Sequence, residues 1–168
     1  SDNAWSAIVY ALKLYANESC TFYVLNSAPM KVSSMSSLSN KLLETMHDKT
    51  KKELLELKAQ MEQSKINSNH TYKVLLSSED LYGAIDTAIV KHDIDLIVMG
   101  TKGATGTKEL FLGSNSVRLL KKIKKCPILI VPDEHDFVAV EQIAFPTDYN
   151  RFYEEKELQA IKDLADLY

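Results

Sequence analysis

Ile94-Asp-Leu-Ile-Val-Met99 is an apolar run that ends in Gly100-Thr-Lys-Gly103, and Gly113-Ser114 follows nine residues further on. A run of this kind reads as a parallel strand buried on both faces, and Ser114 to Lys125 has the spacing of an amphipathic helix. A strand that feeds a helix through a glycine-bearing loop places bare backbone N–H groups, and the positive end of the helix dipole, where a phosphate can sit. Gly100 and Gly103 are expected to turn the backbone sharply and approach a ligand closely. Gly113 would admit a phosphate with no Cβ in the way, and Ser114 would cap the helix or donate its hydroxyl.

Elements of the same kind flank this unit. Ala4 to Ala16 reads as a helix with Ile8, Leu12 and Tyr15 on one face, and Thr21 to Leu25 as a strand. After the serine-rich Ser33 to Ser37, a long helix is expected from Leu38 to Ser64, with Leu38, Leu42, Met46, Leu54, Leu57 and Met61 on one stripe and a solvated face of lysine and glutamate. Tyr72 to Leu76 is a strand, Ser77 and Asp80 resemble a capping box opening a helix from Leu81 to His92, and Ile128 to Val131 is a further strand. Strands alternating with helices predict an α/β fold with a doubly wound parallel sheet.

Rival phosphate motifs fail on the same residues. A P-loop needs glycine, four residues, then Gly-Lys-Ser/Thr, and Gly106-Thr-Lys108 interposes a threonine. Gly103-Ala-Thr-Gly106 mimics the GxxG of a KH domain, but that loop joins two helices. The dinucleotide fingerprint is absent.

The chain of 168 residues is long enough to bury a sizeable core, and its formal net charge of −3 argues against a nucleic-acid binder. No segment has the apolar length to span a bilayer, and Ser1 to Trp5 lacks the features of a signal peptide, so a cytoplasmic protein is expected. Cys20 and Cys126 read as free, at least half-buried thiols. His47, His70, His92 and His135 have no metal-ligand spacing and are expected at the surface. The lysines of Lys121 to Lys125 complement a helix C-terminus, whereas Lys102 and Lys108 stand in the glycine loop, where they would meet phosphate oxygens or point into water. No nucleophile pairs with a base, and neither catalytic nor metal-binding residues are expected.

The glycine spacing, read with Ile97-Val-Met-Gly100 and Cys126-Pro-Ile-Leu-Ile-Val131, resembles the universal stress protein family over the whole chain. The resemblance implies a five-stranded doubly wound parallel sheet with helices on both faces, of the adenine nucleotide alpha hydrolase-like kind. The pattern G-x2-G-x9-G-S/T, intact at Gly100, Gly103, Gly113 and Ser114, implies the branch that binds ATP, with or without Mg2+, in a regulatory or stress-response role. The implied nucleotide site comprises Val24, Met99, Gly100, Gly103, Gly113, Ser114, Asn115, Ser116 and Asp148. Adenine would lie near Val24 and phosphates on the loop from Gly100 to Ser116. Two alternatives stand beside this reading. One is a slow nucleotide-dependent hydrolase, in which Asn115 and Ser116 orient phosphates and a metal; the other is a nucleotide-free dimerisation module.

The two ends of the chain match each other. Ala160, Ile161, Lys162 and Ala165 fall at a constant offset from Ala11, Leu12, Lys13 and Ala16. The sequence therefore reads as a fragment of a tandem-repeat member: residues 1–131 form a repeat lacking its first strand, 132–139 a linker, and 140–168 the first strand and helix of a second repeat. In the family the aspartate closing the first strand contacts adenine, and here that aspartate exists only as Asp148; outside the resemblance it would be an ordinary turn residue. Glu141 to Phe145 is expected to complete the sheet. The linker reaches at most roughly 27 Å, which makes closure within one chain tight, so a homodimer with exchanged strands is predicted.

Overall fold

The computed structural model describes residues 2–29, 37–101, 112–132 and 136–167. In chain order the elements are α1 (Asp2–Leu14), β1 (Thr21–Ser27), α2 (Ser37–Ser64), β2 (Thr71–Ser77), α3 (Leu81–His92), β3 (Ile97–Gly100), α4 (Ser114–Lys122), β4 (Ile128–Val131) and α5 (Glu155–Ala165). The alternation of strands and helices is the expected one.

The sheet differs from the expectation of five strands. Among the described residues there are two parallel ribbons, β1 with β2 and β3 with β4, and no hydrogen-bonded ladder joins them. Thr21 lies opposite Thr71 and Ser27 opposite Ser77 in the first ribbon; Ile97 lies opposite Ile128 and Gly100 opposite Val131 in the second. Glu141 to Phe145 joins neither ribbon. Residues 141–146 run without regular structure and are exposed, although the Phe145 ring packs edge-on against Tyr153 with centroids 5.0 Å apart.

Helices cover both faces of the ribbons, as predicted. On one face Ile85 and Ile89 of α3 pack with Leu119 of α4, Ile123 and Cys126, and Leu25, Ile97, Met99 and Ile128 of the strands lie against them. On the other, Leu12 of α1, Met61 of α2 and Tyr72 of β2 form a cluster joined by Phe22 and Val24. Val24 and Leu25 thus face opposite ways, as consecutive residues of a strand must. α1 also packs on β3 and β4, so that it bridges the two ribbons.

Local chemistry explains where the elements stop. Asp80, not Ser77, is the N-cap of α3, its carboxylate accepting the Gly83 N–H at 2.8 Å. Ser77 Oγ instead accepts the Glu79 N–H at 3.1 Å. β3 begins at Ile97 rather than Ile94, because Asp93 ends α3 in the left-handed conformation (φ 51°) and the Ile94 N–H closes onto the Ile89 carbonyl at 3.2 Å. α4 ends at Lys122, short of Lys125, where Ile123 turns extended and buries its side chain. On α2, Leu54 and Met61 are buried as expected, whereas Met46 is exposed. The solvated face of α2 carries Lys49–Glu53, Lys52–Glu56 and Lys58–Glu62 pairs one turn apart, each worth little in water.

Candidate functional site

The end of β3 and the start of α4 are held together by two contacts. The Gly113 N–H donates to the Thr101 carbonyl at 2.6 Å, and Ser116 Oγ donates to the Gly100 carbonyl at 3.2 Å and toward that of Thr101 at 3.5 Å. Ser116 is only 2% exposed, and its buried hydroxyl is satisfied by the Gly100 carbonyl at the end of the strand. The Val117 N–H makes the first helical bond, to Gly113 at 3.0 Å. The N–H groups of Ser114, Asn115 and Ser116 therefore have no acceptor within the helix, and the N-cap Gly113 offers no side chain to cap them. Ser114 and Asn115 are exposed.

Gly113 has φ −57° and ψ 153°, a conformation open to any residue, and no described glycine has positive φ. Gly100 is a regular strand residue paired with Val131, so the sharp turn expected of it is not there. Neither glycine is required by its backbone conformation. What a glycine supplies at Gly113 is room for a group to approach the helix start. Chemically the arrangement suits an anion: three donors with no acceptor in the helix stand at its positive end. Gly103, Lys102 and Lys108 lie outside the described residues.

The chain matches the model of the universal stress protein family over residues 1–132. It belongs to the universal stress protein family. The universal stress protein UspA from Lactobacillus plantarum is similar in fold, with a TM-score of 0.61 at 18% identity, covering 78% of this chain and 90% of that one. No curated protein matches the sequence.

Within this universal stress protein fold the remaining residues of the expected site are spread out. Met99 precedes Gly100 on β3 and lies against the α3–α4 cluster, while Val24 lies on β1, in the other ribbon, opposite Val74. Asp148 is on the C-terminal segment, where its carboxylate accepts the Asn150 N–H at 3.1 Å and the Asn150 side-chain amide at 2.8 Å. These bonds, with Arg151 nearby, hold the Asp148 carboxyl below the usual carboxylate range. Pro146, Thr147, Asp148, Asn150, Arg151 and Tyr153 line a concavity of about 580 Å3, and among the described residues neither Gly100 nor Gly113 to Ser116 borders it. The structure brings Gly100, Gly113, Ser114, Asn115 and Ser116 together and leaves Asp148 apart from them.

The other polar groups are mostly engaged elsewhere. Lys125 pairs with Asp86 at 2.7 Å, Lys124 donates to the Leu120 carbonyl, and Lys122 lies over the Tyr82 ring, which accounts for much of the lysine cluster at the end of α4. Cys126 is buried, with Sγ donating to the Ile94 carbonyl at 3.3 Å; burial pushes the thiols of Cys126 and Cys20 up. Among the described residues no three acidic, histidine or cysteine side chains are grouped to hold a metal. Nor is any described helix long and apolar enough to cross a membrane.

Two features escaped the sequence reading. His70 is buried rather than at the surface, Nε2 lying 3.0 Å from the Tyr15 carbonyl and Nδ1 3.3 Å from the Tyr72 hydroxyl. Arg118 of α4 reaches Asp80 at 3.2 Å, tying α4 to the start of α3. An i, i+38 pairing leaves no local signal; it exists only once the helices pack.

Proposed function

We propose that this universal stress protein domain binds ATP at the start of α4 in a regulatory role, on a sheet that is five-stranded when complete. Family membership points to stress response. The uncapped first turn of α4, beside a glycine that its own conformation does not require, carries the reading, and the G-x2-G-x9-G-S spacing selects a polyphosphate nucleotide. Phosphates would rest on the N–H groups of Ser114, Asn115 and Ser116, with the Ser114 hydroxyl and Asn115 amide able to reach them. Gly100, Gly103 and Met99 would frame the loop, Val24 would border adenine, and Asp148 would join where its segment enters the sheet. Magnesium, if it accompanies ATP, would be carried by the phosphates.

Binding is favoured over turnover because the Ser116 hydroxyl, which a hydrolase would aim at a phosphate or metal, already donates to the ends of β3. Titration calorimetry tests the proposal. ATP should bind at least tenfold more tightly than AMP, since each added phosphate gains charge-assisted hydrogen bonds. Gly113→Val should abolish binding and leave the circular dichroism of the fold unchanged, because φ −57° accommodates valine while its side chain fills the approach. Equal affinity for AMP, or a folded Gly113→Val protein that still binds ATP, defeats the assignment.

A further inference from the structure

Arg118 is the first charged residue of α4, four positions after Ser114 and three after Asn115. Side chains on a helix lean toward its N-terminus, and residues three or four apart share a face, with Cβ atoms about 5–6 Å from each other. An arginine placed there can reach back to the uncapped first turn, where the N–H groups of Ser114, Asn115 and Ser116 lack helical acceptors. The lysines that follow are engaged at or beyond the far end of the helix: Lys122 lies over Tyr82, Lys124 donates to the Leu120 carbonyl and Lys125 meets Asp86.

Arg118 crosses to α3, where Nη2 donates to Asp80 Oδ2 at 3.2 Å. Asp80 divides its carboxylate between two partners: Oδ1 accepts the Gly83 N–H at 2.8 Å as the cap of α3, and Oδ2 faces Arg118. Because different oxygens serve the two, Arg118 can leave without uncapping α3. The neighbouring carboxylate, Glu79, is turned back onto α3. It accepts the Thr87 hydroxyl at 3.2 and 3.4 Å and lies over Gly83, where a Cβ would stand only 2.7 Å from Oε2. Both members of the Arg118–Asp80 pair are more than half exposed, so water screens the pair and leaves it weak. A polyphosphate at the first turn of α4 offers the guanidinium a stronger partner, in the planar two-pronged geometry that arginine matches.

We propose that Arg118 is a further phosphate-binding residue of this site and Asp80 the positioning residue that restrains it: nucleotide binding draws the guanidinium from Asp80 to the phosphates and unties α4 from the start of α3. The proposal rests on the ATP reading of the α4 N-terminus. Asp80 then tunes affinity without touching the nucleotide, and by linkage the pair weakens binding by the same factor as binding weakens the pair. The restraint acts on nucleotides whose outer phosphates extend to the helix start, and AMP escapes it.

Calorimetric titration of the 1–168 chain with ATP and with AMP, run as a double-mutant cycle, tests the proposal. Arg118→Ala should weaken ATP about tenfold, the loss of a charge-assisted contact, and leave AMP within about twofold. Asp80→Asn keeps a capping oxygen for the Gly83 N–H and removes the ion pair, so it should tighten ATP about threefold with the circular dichroism unchanged. In the Arg118→Ala background Asp80→Asn should have no effect, because the restrained group is gone. Weakening by both single variants means that the pair only holds the two helices in place. Tightening by Asp80→Asn that persists without Arg118 means that the aspartate acts through its charge alone, and unchanged ATP affinity in Arg118→Ala removes the contact. Each of these three results overturns the proposal and leaves the ATP reading standing; an unsubstituted chain that fails to bind ATP overturns both.

Discussion

In each ribbon one strand is better buried than its partner, β2 than β1 and β4 than β3. Tyr72 of β2 and Val131 of β4, at 9% and 2% exposed, belong to the core, whereas β1 and β3 contain no buried residue. Helices lie against all four strands, so the difference shows that a covering helix alone does not bury a strand. A neighbouring strand excludes water from its edge as well as satisfying its N–H and C=O groups.

Paired substitutions measure that difference most directly. Val131→Ala should cost about 2 kcal/mol, from lost burial and a residual cavity, whereas Val98→Ala on half-buried β3 should cost less than about 1 kcal/mol. Urea denaturation at low protein concentration reads both. Equal costs would abolish the contrast between the two strands of the ribbon.

A smaller effect probes the helices that cover the ribbons. Asp80 both caps α3 and pairs with Arg118, so Asp80→Ala should lose about 1 kcal/mol. Arg118→Ala should lose much less, since the ion pair is more than half exposed and solvent screens it. Similar losses would mean that the pair, not the cap, holds α3 and α4 in place.

The smallest expected change lies on the C-terminal segment, far from any buried strand. α5 opens with a capping box between Glu154 and Glu157, and the Glu157 carboxylate also meets Arg151 at 2.8 Å. The Glu154 N–H, then Arg151, holds the Glu157 carboxyl below its ordinary 4.5. A carboxyl lowered on folding stabilises fully above its unfolded value, and the contribution fades as pH falls through the folded one. Helicity of α5 should therefore decline below pH 4.5, with Glu157→Gln removing most of that dependence. A carboxyl titration by NMR with a midpoint above 4.5 for Glu157 would contradict the box as drawn.

The sequence disclosed what is local. α3 and β4 have the expected bounds, because Asp80, Asp93 and Pro127 act within a few residues. Hydropathy alone extends the strand back to Ile94, because the left-handed turn at Asp93 is a backbone conformation that it does not report. Nothing local marks His70 as buried, because its partner carbonyl, at Tyr15, is 55 positions away. The start of α4 at Ser114 is legible from the glycine that precedes it, yet the local turn that holds Asp148 against Asn150 is not. Helical periodicity likewise shows that Glu155 to Ala165 is a helix without saying what it packs on.

The bond between the Gly113 N–H and the Thr101 carbonyl has a consequence for how such a domain diversifies. It fixes both ends of the interval 102–112 to the framework, so closing that interval is a cost met by the strand and helix rather than by any bound molecule. Insertions, deletions and exchanges within it can then accumulate while α4 keeps its register with β3. The sequence of that interval becomes the trait most free to drift, on a scaffold that does not have to be relearned each time.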